Sequence, residues 1–124
     1  PVFDGPEDRN GRRNADEIVL WQHILDGRFG PAPAPPFVIA GVANLDPGRG
    51  EGRHDAIRAL LADPRLQDPL PGRATARWPQ TGPLRVSYLL PSADLTVVGA
   101  GVHPASRDDL TGPHRLVWVD LALD

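Results

Sequence analysis

The sequence predicts a layered α/β (α+β) fold, and two observations carry that prediction. Apolar residues recur at helical spacing at Ile18, Trp21 and Leu25, and again at Ile57, Leu60 and Leu61. Short β-branched and aromatic runs lie at Phe37–Ala40, Leu84–Leu90, Asp94–Val102 and His114–Leu123. The resulting order of helix, strand, helix, strand, strand, strand suits one layered unit with polar groups gathered at strand ends. A chain of 124 residues can bury one real core, so residues 1–124 are expected to form a single domain.

Taken in order, Pro1 to Arg13 is polar, rich in Gly and Arg and without period, and reads as a loop. Asn14 stands three residues before Glu17, a capping-box-like start, and the helical spacing that follows ends at Gly27. "RFGPAPAPP" sustains neither helix nor central strand, because its prolines lack N–H donors; it reads as a stiff connector. The apolar run Phe37–Ala40 breaks at Gly41 and drops into a loop holding Asn44, Asp46 and Pro47, with Val42 at its first position. His54–Asp63 places Ile57, Leu60 and Leu61 on one face, a short helix stopped by Pro64. Asp63 to Pro83, with five prolines and Trp78, reads mostly as loop. In the last strand Leu116 and Trp118 point one way and Val117 and Val119 the other, which predicts a strand covered on both faces.

Composition excludes several classes of function. Cysteine is absent, so disulfides, zinc-thiolate centres and thiol catalysis are all out. No apolar run approaches the roughly 18 residues of a membrane span, and no signal-like start is present, so the chain reads as soluble. It opens at Pro1 rather than Met, which reads as a cleavage product or an internal start. The formal charge of −3 advertises neither nucleic acid nor an anionic membrane, although a local basic cleft stays open. Every basic residue is Arg, a composition that fits a GC-rich genome and also supplies planar forks for phosphate.

Polar residues fall where strands meet loops at Asn44 and Asp46, at Ser87, at His103 and at His114. A neutral imidazole at a strand mouth, beside an amide and a hydroxyl from neighbouring strands, is able to orient a phosphate and move a proton. The alternative is that each simply caps local backbone. Glu51 and His54 have the spacing of a metal pair, but also that of a solvated helix start. Ser106, Asp109 and His114 hold the letters of a hydrolase triad without a nucleophile elbow, and Gly48, Gly50 and Gly52 match no phosphate-loop pattern.

Taken together, "DGPEDRNGRRNADEI", "FVIAGVANLDP", "AIRALLADPRLQDP", "LRVSYLLPSADLTVVGAGV" and "PHRLVWVDL" resemble the C-terminal half of bacterial members of the endonuclease/exonuclease/phosphatase superfamily, over nearly the whole chain. The resemblance implies part of a four-layer sandwich, two packed β-sheets with helices outside. It implies a phosphoesterase that uses Mg²⁺ or Mn²⁺ on a phosphate-ester substrate, nucleic acid or small molecule. The family loop usually reads Gly-Asp-x-Asn; Gly41 and Asn44 match it, while Val42 stands at the Asp. Near the end the family commonly has Ser-Asp-His; His114 matches the His, with Gly112 and Pro113 before it. Ser87 occupies the place of a third family Asp.

By that resemblance His114 and Asn44 are the catalytic candidates, Ser87 and Asp46 the substrate-binding ones, and this chain supplies no metal ligand. The remaining family residues come from an N-terminal half upstream of Pro1, so a longer parent chain, a bound partner segment or self-association is expected. Without the acid at Val42 this chain alone is expected to hydrolyse poorly. The alternative is a sandwich domain that has lost hydrolysis and serves as a binding or interaction module. Relatives with this pattern often look exported, which points to a periplasmic or secreted location.

Overall fold

A computed structural model of the chain describes residues 1–105 and 112–123. Among the described residues the fold is mixed α+β, with two helices and antiparallel strand pairs, as the order of periodic segments predicts. Helix α1 (Arg9–Leu25) begins upstream of the expected start at Asn14. The reason is Asp4, whose carboxylate accepts the N–H of Gly5 at 2.8 Å and of Gly11 at 2.9 Å, so a helix-start donor is satisfied before any capping box is needed. Asn14 therefore lies inside the helix. Asp8, the residue before α1, adopts a left-handed φ of 52° and takes Arg53 at 2.6 Å, tying the start of α1 to the start of the second helix.

Strand β1 (Val38–Val42) runs past the expected break, so Gly41 and Val42 belong to it rather than to a loop. It continues because partners continue: helix α2 (His54–Leu61) covers one face, and strand β4 (Ser87–Pro91) pairs antiparallel with β1, Gly41 opposite Tyr88 and Val42 opposite Ser87. Between them in sequence, β2 (Ala76–Trp78) and β3 (Gly82–Leu84) form a short hairpin in the stretch expected to be mostly loop. Its prolines hid the pattern, yet Pro83 is tolerated because so short a pair has little ladder to break. The strand expected over Leu84–Leu90 is interrupted at Arg85 and Val86. Their N–H groups are taken by side chains, Arg85 by Asp46 Oδ2 at 2.7 Å and Val86 by Thr75 Oγ1 at 2.9 Å.

Strands β5 (Thr96–Val102) and β6 (Val117–Ala122) make a further antiparallel pair, with an irregularity between Val97 and Gly99. The expectation that the last strand is covered on both faces fails: Leu116 is 70% and Trp118 42% exposed, because no described element packs over them. His114 precedes β6 and bridges Ala76. The main core gathers Ile18 and Leu25 of α1, Ile57 and Leu60 of α2, and Ile39, Tyr88 and Leu90 of the β1–β4 pair. A smaller cluster of Val2, Ala76, Leu84 and Val86, with Trp78 against it, lies under the hairpin. Arg65 links the two helix ends by pairing with Asp63 at 2.7 Å and Asp26 at 2.8 Å. Among the described residues no helix is long and apolar enough to cross a membrane.

Candidate active site

Two of the candidate residues, Asn44 and Ser87, meet at the end of the β1–β4 ladder. Val42 and Ser87 are direct cross-strand partners, so their side chains share one face of the pair at its final position. The chain then turns: the N–H groups of Ala43 and Asn44 both donate to the Val86 carbonyl, at 2.7 and 3.1 Å, and Asn44 takes a left-handed φ of 52°. Asn tolerates that conformation better than most residues, and here it leaves the Asn44 side chain exposed at the strand mouth. Beside it a crevice of about 290 Å³ opens between α1 and β1, lined by Asn14, Trp21, Val42 and Asn44 among others. Asn14 holds the turn from the helix side, its amide donating to the Ala43 carbonyl at 2.7 Å.

Asp46 has a different occupation. Oδ1 accepts the N–H groups of Gly48 and Arg49 at 2.9 and 2.8 Å, and Oδ2 accepts that of Arg85. Burial pushes the carboxyl up, but the amides of Arg85, Gly48 and Arg49 and the Arg49 charge outweigh it and hold Asp46 below the usual carboxylate range. Its oxygens thus shape the loop after β1. Tyr88 supports the same loop, its hydroxyl donating toward the Leu45 carbonyl at 2.6 Å and the Arg85 carbonyl at 3.0 Å.

His114 reaches the area through a residue the sequence did not mark. Thr75, fully buried, accepts the N–H groups of Val86 and Ser87 on Oγ1, both at 2.9 Å. Its own N–H donates to the Leu84 carbonyl and its carbonyl accepts the N–H of Arg115, each at 2.9 Å. One residue therefore joins the segment carrying His114 to the strand carrying Ser87, and through Val86 to the turn carrying Asn44. The His114 ring stands edge to face with Trp78 at 5.2 Å, and its buried Nδ1 has no hydrogen-bond partner among the described residues. Nothing local in the sequence singles out Thr75; the lone Trp in a proline-rich stretch was the available signal for Trp78.

The other sequence candidates stand apart. His103 is exposed and its N–H donates to the Leu116 carbonyl at 2.8 Å. Glu51 accepts the Asp4 N–H at 2.6 Å, while the two ring nitrogens of His54 face the carbonyls of Asp46 and Gly50 at 2.6 and 3.2 Å, so this pair is turned to backbone rather than to a shared ion. Ser106 and Asp109 lie outside the described residues. Among the described residues no three His, Asp or Glu groups gather as a metal centre needs. With Val42 and Ser87 offering neither charge nor imidazole and Asp46 bound to amides, the donors present do not by themselves fit Mg²⁺ or Mn²⁺.

A missed feature is the buried ion pair beneath the site. Arg85, 3% exposed, forks onto Asp68 with two contacts of 2.6 Å and lies 4.6 Å over the Tyr88 ring. The chain matches the model of the Endonuclease/Exonuclease/phosphatase family over residues 2–118. No curated protein and no solved structure matches the chain.

Proposed function

This chain belongs to the endonuclease/exonuclease/phosphatase family, and from that membership we propose that it is a phosphoesterase-type domain whose own site has been altered. The family acts on phosphoester bonds and is generally dependent on a divalent metal. The observation that carries the reading is the pairing of Val42 with Ser87. The two positions at which the sequence resemblance expects acids are opposite each other, beside the Asn44 turn. Two carboxylates there would have Cβ atoms about 4.5–5.5 Å apart, close enough to act on one ion or one water. Valine and serine at those positions remove the charge and leave Asn44 and His114 as the groups that meet phosphate. Ser87 adds a hydroxyl, and Asp46 serves by fixing the loop.

The test is hydrolysis of bis-p-nitrophenyl phosphate and of plasmid DNA with Mg²⁺ or Mn²⁺, comparing the chain with Val42→Asp and with Val42→Asp/Ser87→Asp, each with an EDTA control. The reading expects the double variant to gain about 10²-fold or more over the native chain, and to lose it with EDTA or His114→Ala. Silence in every variant, together with no phosphate-induced shift at Asn44 or His114 by NMR, would sink it. A second reading is then favoured, an interaction module without catalysis. The exposed apolar residues Val42, Val98, Leu116 and Trp118 support that reading.

A further inference from the structure

We infer that Trp78 is the positioning residue of His114, holding the imidazole by an edge-to-face ring contact where no carboxylate among the described residues is bonded to its Nδ1. The inference rests on the reading of His114 as a phosphate-contacting group. Two backbone hydrogen bonds fix the main chain around this histidine, Arg77 N–H to the Pro113 carbonyl at 3.0 Å and Arg115 N–H to the Thr75 carbonyl at 2.9 Å, and together they make the Ala76–His114 bridge. Both act on backbone, so neither sets the torsions that aim the ring. A hydrogen bond to a ring nitrogen is the usual way to set them. Here the residue before His114 is Pro113, and the buried Nδ1 finds no acceptor among the described residues.

What the ring does meet is Trp78. The two rings are perpendicular, at 89° with centroids 5.2 Å apart, the edge-to-face arrangement that ring quadrupoles favour. Trp78 is itself braced: Phe3 makes a second T-shaped contact with it at 6.2 Å and 82°, and the Val2, Ala76, Leu84 and Val86 cluster packs against it. A braced indole is a stiff neighbour, and a ring contact of this kind holds an imidazole in place without taking a proton from it. A carboxylate would instead fix one tautomer by accepting a particular N–H. With Nδ1 enclosed, Nε2 is the nitrogen left to face a phosphate oxygen.

The experiment follows the His114 ring resonances in the labelled full chain, in native protein, Trp78→Leu and Trp78→Phe, with inorganic phosphate as the added probe. The native ring protons are expected to be displaced from free-histidine values by the indole ring current. Trp78→Leu should abolish that displacement and Trp78→Phe retain part of it, while the amides of Ala76 and Arg115 stay in place. A merely structural role would move those amides instead. His114 resonances that ignore Trp78→Leu would overturn the inference; if that variant does not fold, resonances unchanged in Trp78→Phe would do the same. Failure of phosphate to shift His114 in native protein would count against the phosphoesterase reading alone, since the ring-current comparison needs no ligand.

Discussion

In the β1–β4 pair the inward residues Ile39, Tyr88 and Leu90 are sealed beneath Ile18, Ile57 and Leu60, whereas in the β5–β6 pair Val98 and Trp118 remain 66% and 42% exposed. Both are antiparallel pairs built from Val, Leu, Gly and an aromatic residue. Cover by two amphipathic helices, rather than strand composition, separates them. The uncovered pair secures itself locally. Trp118 lies against Gly101, its cross-strand partner, so closely that a Cβ added at Gly101 would come within 2.7 Å of the indole. Glycine there gives the ring a flat seat, and the ring in turn shields backbone that glycine leaves bare.

The difference between the two pairs can be broken or sharpened by substitution. The largest effect belongs to the covered pair: Ile57, with no exposed surface, should lose about 2–5 kcal/mol of stability as Ile57→Ala, read from the denaturant midpoint. Next comes Asp46→Asn, which sets an NH₂ group against one of the backbone donors around the buried carboxylate and should lose about 1–3 kcal/mol.

Because the folded pKa of Asp46 is depressed, its contribution is fully present above the unfolded Asp value of about 4. It is lost as pH falls through the folded value. The gap between native protein and Asp46→Asn should therefore close in acid; a gap that persists unchanged at low pH would remove the charge from the explanation. The smallest effect is expected at Leu116→Ser, within about 0.5 kcal/mol. A loss there as large as that of Ile57→Ala would mean that the β5–β6 face is covered in solution, and the contrast would disappear.

Legibility in the sequence follows the same division. The second helix was readable because Ile57, Leu60 and Leu61 repeat cleanly, and β5 because its residues are contiguous and β-prone. The early start of α1 was not, since the acceptor that satisfies Gly11 is Asp4, in the segment that reads as loop. Nor was the split before β4, where Asp46 and Thr75, distant in sequence, take the N–H groups of Arg85 and Val86. At the site, Val42, Asn44 and Ser87 could be named from the sequence, but their meeting at one ladder end depends on register, which a one-residue slip would invert. The contact of His114 with Trp78 joins residues 36 apart and has no local signature.

Thr75 ties together Leu84, Val86, Ser87 and Arg115 with one side chain and its own main-chain N–H and carbonyl. In the time domain, this makes the site's amides a single opening unit. Releasing Arg115 frees the Thr75 carbonyl, and releasing Thr75 exposes the Val86 and Ser87 amides and, through the Val86 carbonyl, loosens those of Ala43 and Asn44. Amide exchange at these positions should then proceed at a shared rate, and one methyl-bearing hydroxyl at residue 75 sets the tempo at which the strand mouth breathes.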